Sequence, residues 1–413
     1  MTVATDDTGQ ALGDKRAPGA VVYPTRKDEG WRYAPHQDLR RLVFGPPPSE
    51  IAEIPAELEA RIPDVGGPVI VVVNGRVDRS RSDLDRLPAG LHIRSLADVL
   101  DDPPDAVATH LQSAGAGPVD AFEALGRIHG RDGAYIHLEE NANLDQPIQL
   151  VDISIPARAS DATCTGVVVH LSDGSEATMV ETHLGAGTSF GGSTTRTSVT
   201  MGARSSLTHL VLQDAPAEQI QLSRIEVVQM GESEYRGRSF NLGASYGRID
   251  YQVRLIEEEA TADLSGLYFG SGNQTLDQQV NIIHHAGNCT SRQRFRGVLD
   301  GQSTGVFSGG IAVSPGANGT DAEQTNHNLL LSTRAEVNSQ PRLEILADEV
   351  ACAHGATVGQ LDEDALYYLR SRGVPADEAR SLLIAGFADQ TVDEVEIENL
   401  RTWVIARLGH GHA

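Results

Sequence analysis

Residues 130–359 constrain the fold most: more than 200 residues pass without a convincing helical pattern, while short apolar–polar alternations recur. Ile249, Tyr251, Val253 and Leu255 alternate with polar neighbours, and after the acidic turn Glu257-Glu258-Glu259 the alternation resumes at Ala260, Ala262 and Leu264. A period of two sends successive side chains to opposite faces of a strand. Turn residues punctuate these runs every ~8–12 positions, the mark of an all-β unit: a sandwich, a barrel or a solenoid. The length without a helix favours a β-solenoid, although no strict sequence repeat is visible.

The flanks differ in texture. Residues 1–129 are mixed. The first twenty or so are polar, rich in Gly and Asp, and are expected to be disordered. Pro46-Pro47-Pro48 breaks structure, Val69–Val73 reads as a buried strand stopped by the turn pair Asn74-Gly75, and residues 118–129 read as a short helix. Residues 360–413 are helical. Asp362 caps a helix whose first turn carries Glu363 and Asp364, and Gly373 ends it. Pro375 opens a second helix with the stripe Ala379, Leu382, Leu383 and Phe387. A third is expected to carry Val392, Val395, Leu400, Trp403, Val404 and Leu408. The expected division is therefore 1–129, 130–359 and 360–413.

Composition excludes several functions. With 57 acidic and 33 basic residues the net charge is −24, the wrong sign for a nucleic-acid backbone. The only lysines are Lys15 and Lys27, so beyond residue 27 nothing can act as a P-loop lysine or form a Schiff base. Cys164, Cys289 and Cys352 are far apart, forming no CxxC pair and no disulfide framework, which suits a reducing cytoplasm. Three cysteines also cannot supply the four thiolates of an ordinary iron–sulfur cluster. No apolar h-region opens the first thirty residues and no apolar run approaches the ~20 residues of a membrane span, so neither a signal peptide nor a membrane segment is expected.

Few motifs carry chemistry. Gly301-Gln302-Ser303-Thr304-Gly305 matches the G-x-S-x-G nucleophile elbow, but Val306–Ile311 reads as another strand where the elbow needs a helix. His284, His285 and Cys289 are metal-ligand types, yet on a strand the two histidines point to opposite faces. Cys352 and His354, two apart, share a strand face, a thiol and an imidazole suited to iron or zinc; the plain alternative is a buried Cys beside a hydrogen-bonded His. His410 and His412 are expected in a frayed tail. Glu139-Glu140 and Glu257–Glu259 read as solvated turns rather than a glycosidase pair.

Near the C-terminus the runs Thr320-Asp321-Ala322-Glu323-Gln324, Asn328-Leu329-Leu330-Leu331-Ser332 and Arg334-Ala335-Glu336-Val337-Asn338 resemble the SufB/SufD family. Pro341–Ile345 and the block Asp348-Glu349-Val350-Ala351-Cys352-Ala353-His354-Gly355-Ala356-Thr357-Val358-Gly359 resemble its SufD branch. The likeness continues through Leu366–Gly373, and Pro24–Tyr33 resembles the family's N-terminal signature. Arg296 stands where the family often has lysine, as do Gly310 and Gly319.

The resemblance implies a right-handed parallel β-helix core between an N-terminal mixed, partly helical region and a C-terminal helical domain. It implies a non-enzymatic scaffold subunit of the SufBCD iron–sulfur cluster assembly complex, with a SufB-like sister, a SufC-like ATPase, and a cysteine desulfurase system acting indirectly. No tightly bound cofactor is expected, only a transient cluster or iron at the SufB–SufD interface. His354 is the implied assembly residue and candidate iron ligand, with Cys352 beside it. The helices from Leu361 to Phe387 are the implied SufC dock, through Leu366, Tyr367, Leu369, Arg370, Arg372, Leu382, Leu383 and Phe387. The competing expectations are a β-helix carbohydrate lyase, normally secreted, and a SufB-like homodimeric scaffold.

Overall fold

A computed structural model describes residues 22–100, 102–105, 107, 108 and 120–410; the expected disorder of the first twenty residues and the place of His412 lie outside them. Short helices α1 (His36–Arg41) and α2 (Ala56–Glu59) precede α3 (Ala121–His129), where the sequence predicts one. The Asp120 side chain caps α3 by accepting from the backbone N–H groups of Phe122 and Glu123, each at 2.9 Å.

The strands form two ten-stranded sheets. Before residue 130 come β1 (Val43–Phe44), β2 (Val69–Val73), β3 (Arg76–Val77) and β4 (Leu91–Ser95). One sheet then runs through β5 (Gly133–Leu138), β7 (Asp161–Leu171), β9 (Gly191–Met201), β11 (Gln219–Gln229), β13 (Tyr246–Leu255), β15 (Thr275–His284), β17 (Thr304–Val313) and β19 (Glu336–Ile345). The other runs through β6 (Ile148–Ser154), β8 (Glu176–Gly185), β10 (Ser206–Asp214), β12 (Glu234–Asn241), β14 (Thr261–Gly270), β16 (Thr290–Leu299), β18 (Asp321–Leu330) and β20 (Ala351–Gln360). Consecutive strands alternate between sheets and pair in parallel with the strand two places on. The expected β-solenoid is therefore a parallel β-helix.

Its first rungs begin before residue 130. β2 pairs in parallel with β6, and β4 pairs antiparallel with β5. The strand Val69–Val73 is almost wholly buried and covers the first end of the apolar interior. Asn74 and Gly75 both have positive φ, 51° and 75°, which makes the β2–β3 hairpin a type I′ turn.

Inside, residues at equivalent positions stack. Ile136, Val169, Val199, Val227, Val253, Ile282 and Ile311 are successive register partners along the first sheet, all buried. Burial of each stabilises by roughly 1.5–3 kcal/mol. By residue number they lie 33, 30, 28, 26, 29 and 29 positions apart. The turns absorb the differences, which is why a regular fold shows no regular sequence repeat.

Three helices end the chain: α4 (Glu363–Ser371), α5 (Ala376–Val392) and α6 (Glu398–His410). Val392 therefore ends the second helix rather than opening the third, and Val395 lies in the connection. Ile384, Ala388, Val392, Val395, Leu400 and Val404 pack on the outer face of the second sheet against Val180, Leu210, Phe240, Leu267 and Val298. Helix α4, by contrast, buries no residue. On the outer face of the first sheet the N-terminal segment is strapped down by Trp31, with the Arg248 guanidinium 3.9 Å from its ring centroid.

Candidate functional site

The two sheets end in β19 and β20, and among the described residues no further rung covers them. Along β18 the inward positions Ala322, Gln324, Asn326 and Asn328 are buried. Their register partners on β20 are Cys352, His354, Ala356 and Val358. His354 points the same way as a buried glutamine yet is exposed, because no described residue stacks beyond it.

Cys352 and His354 thus share one face, as their spacing predicts. Cys352 is half-buried against Ile311, Val313, Ala317 and Ala322. Burial, and then the nearby Asp321 carboxylate, push its thiol above the usual range, which keeps it protonated and a poor nucleophile in the isolated chain. Among the described residues no three His, Cys, Asp or Glu side chains converge to hold a metal ion.

The two edge strands differ in chemistry. β19 carries Glu336, Pro341, Arg342 and Glu344, the charges and proline that normally protect a sheet edge. β20 reads Ala-Cys-Ala-His-Gly-Ala-Thr-Val-Gly-Gln, without a proline or any Asp, Glu, Lys or Arg. Exposed Leu346 and Val358 add apolar surface at this end.

The other candidates do not join the site. His284 points inward, within 2.9 Å of Ser291 Oγ, while His285 on the opposite face is exposed. Burial, with His285 beside it, pushes the His284 imidazole down to about 4. The buried Cys289 thiol donates to the Glu257 carbonyl, and the buried Cys164 thiol donates to the Leu125 carbonyl. Gly301 sits at a turn and strand β17 follows, so no nucleophile elbow forms; Ser303 Oγ donates to the Asp300 carbonyl. Glu139, Glu140 and Glu257–Glu259 lie at turns.

In the C-terminal helices Tyr367, Arg370, Arg372 and Leu382 are exposed, while Leu366, Leu369 and Leu383 are half-buried. Phe387 is half-buried and packs toward the solenoid, with the Arg296 guanidinium 5.0 Å from its ring centroid. The helical stripe alone does not say which face the sheet covers.

Sequence reading missed a buried polar cluster inside the solenoid. His209 Nε2 lies 3.0 Å from Glu181 Oε1, His183 Nε2 3.2 Å from Glu181 Oε2, and Thr195 Oγ1 donates to Asp152 at 2.6 Å. Burial alone would push the His183 imidazole down, but Asp152 and Glu181 overcome it and raise it to about 9. Burial likewise opposes ionisation of Glu181, yet His209 and His183 hold its carboxyl well below the usual range. Polar residues at inward positions of alternating strands were the available signal.

Comparison with known proteins agrees with this architecture. Residues 155–387 match the SUF system FeS cluster assembly, SufBD core domain, and residues 20–150 match the SufBD protein N-terminal region. The Iron-sulfur cluster assembly protein SufD of Escherichia coli is 28% identical over 97% of this chain and 94% of its own length. The Iron-sulfur cluster assembly SufBD family protein slr0076 of Synechocystis is 26% identical over 93% of this chain and 86% of its own. The chloroplastic Protein ABCI7 of Arabidopsis thaliana is 25% identical over 92% and 81%. With the core-domain match covering more than half of a chain folded as a parallel β-helix, the protein belongs to the SufBD family of iron–sulfur cluster assembly proteins.

Proposed function

We propose that this chain is a SufD-type scaffold subunit, non-enzymatic and cytoplasmic, of an iron–sulfur cluster assembly complex. Its open solenoid end pairs with a SufB-like sister chain, and its C-terminal helices dock a SufC-like ATPase. The nascent cluster is cargo built at the shared end, with sulfur supplied by a cysteine desulfurase system. The observation that carries this reading is His354, held on an inward-facing position of an edge strand that lacks charge and proline protection. Such an edge accepts main-chain pairing from another chain. A single imidazole donor fits a site completed by a partner's ligands, with a neutral ring offering its lone pair to iron or accepting a proton.

Helix α4 supports the dock. It buries no residue, presents Tyr367 and Tyr368 to solvent, and follows β20 after only Leu361 and Asp362. An ATPase that closes on nucleotide and grips α4 would therefore pull near the strand that carries His354. The nucleotide must favour one arrangement of the paired scaffolds over the other for this to act.

Co-expression with SufB-like and SufC-like chains, affinity capture on this protein and native mass measurement test the proposal. A complex containing one sister and two ATPase copies is expected. A chain that purifies alone, with no ATPase even when nucleotide is present, rules the assignment out.

A further inference from the structure

Three histidines lie side by side on the outer face of the first sheet, at the end opposite β19. His92 on β4 is the register partner of His137 on β5, and His137 is the register partner of His170 on β7. Their rings stack, with centroids 5.7 Å apart between His92 and His137 and 5.2 Å apart between His137 and His170. Thr200 on β9 takes the next position and ends the column. Like charges opposite one another on neighbouring strands are destabilising, so each proton the ladder gains weakens its hold.

The surroundings do little to offset such charge. His92 Nε2 lies 2.8 Å from Glu139 Oε1, and both side chains are exposed, where an ion pair is worth little. His137 Nε2 lies 3.1 Å from Ser172 Oγ, a neutral group. His170 Nδ1 is buried without a hydrogen-bond partner. Burial, and then His92 beside it, push the His137 imidazole down against the pull of Glu139. Burial, and then His137, push the His170 imidazole down against Asp173. In the adjoining column stand Arg94 and Tyr135, register partners, with the Tyr135 ring centroid 6.5 Å from that of His137. Burial pushes the Tyr135 phenol up, so neither of these two supplies a negative charge.

Strand β4 is the element the ladder can release. It is five residues long and ends its sheet, with β5 as its neighbour. Leu91 and Ile93 on its inward side are buried in the apolar interior. At its far end Ser95 Oγ donates to Asp132 at 2.6 Å, which leaves the end carrying His92 the freer to lift.

We propose that this ladder is an acid-sensitive latch: protons taken up by His137 and His170 loosen β4 from β5, uncovering Leu91 and Ile93 and freeing the β5 edge for pairing. An imidazole held below its unfolded value of about 6.5 stabilises the closed form fully above that pH, and the contribution is lost as pH falls from there through the folded value. Opening of β4 therefore grows below about pH 6.5. The latch stands independently of the function proposed above.

Hydrogen exchange of the full chain from about pH 7.5 to about pH 5.5, either side of the free imidazole value, tests it after correction for the intrinsic exchange rate. In the wild type the opening constant of residues 91–95 is expected to rise on acidification, by up to about tenfold per pH unit for each proton taken up. His137→Gln and His170→Gln are expected to flatten that rise while exchange in β13–β17 stays at the wild-type level. His137→Asn serves if glutamine unsettles the strand. A wild-type β4 that does not respond to acid, or one that responds identically in the wild type and the variants, overturns the proposal.

Discussion

Arg238 Nε lies 2.6 Å from Glu394 Oε2, joining the outer face of the second sheet to the connection between α5 and α6. Arg238 also holds Asp263 at 2.8 Å, and Arg294 bridges Asp263 and Glu394. The network fixes α5 and α6 on the solenoid, while α4 has no comparable anchor. Replacing Glu394 by Ala is expected to cost about 1–3 kcal/mol, between the values of exposed and buried pairs. Hydrogen exchange should rise in residues 376–408 and stay unchanged in β13–β17; a uniform response would contradict a local latch.

The buried Glu181–His183 pair makes stability depend on pH from both sides. His183 is raised to about 9, so its contribution is full below the unfolded value of about 6.5 and is lost as pH rises toward 9. Glu181 is depressed, so its contribution is present above about 4.3 and is lost on acidification below that. Denaturant midpoints should therefore fall between about pH 6.5 and 9, with a shallower slope in His183→Asn. Parallel slopes for the two proteins would contradict the pairing.

Two glycines near the site should respond oppositely to alanine. At Gly309 the new Cβ meets Gln324 Nε2, whereas at Gly355 it meets nothing within 4 Å. Gly309→Ala is expected to cost about 1–3 kcal/mol by overpacking, and Gly355→Ala to stay within about 0.5 kcal/mol. Thermal unfolding of the two variants makes the comparison.

Much of this was legible in the chain. The alternation at Ile249, Tyr251, Val253 and Leu255 identified strands correctly, because one face of each strand packs inside. Asn74-Gly75 marked its turn because both positions need positive φ. The two-residue spacing of Cys352 and His354 placed them on one face. What stayed hidden depends on contacts between rungs. The close approach of Gly309 to Gln324 and the Gln324–Gln293 hydrogen bond appear only when residues distant in sequence are in register, and turns of unequal length blur that register. The direction of Phe387 depends on Arg296, nearly a hundred residues away.

The two faces of the C-terminal helices should separate by mutation. Tyr367→Ala and Leu382→Ala remove exposed side chains and are expected to weaken ATPase binding at least about tenfold, as hot-spot truncations do, with unfolding temperature unchanged. Phe387→Ala is expected to lower stability by roughly 2–4 kcal/mol through lost packing. Calorimetric titration with the ATPase and thermal melts of each variant check both outcomes.

In the proposed complex the open end presents His354 to a shared assembly site. The most direct measurement is cluster yield, by absorbance and iron content, from the complex carrying His354→Ala. An intact complex of unchanged mass with a cluster yield reduced by roughly tenfold or more is expected. An intact complex that forms clusters at the wild-type level would contradict it.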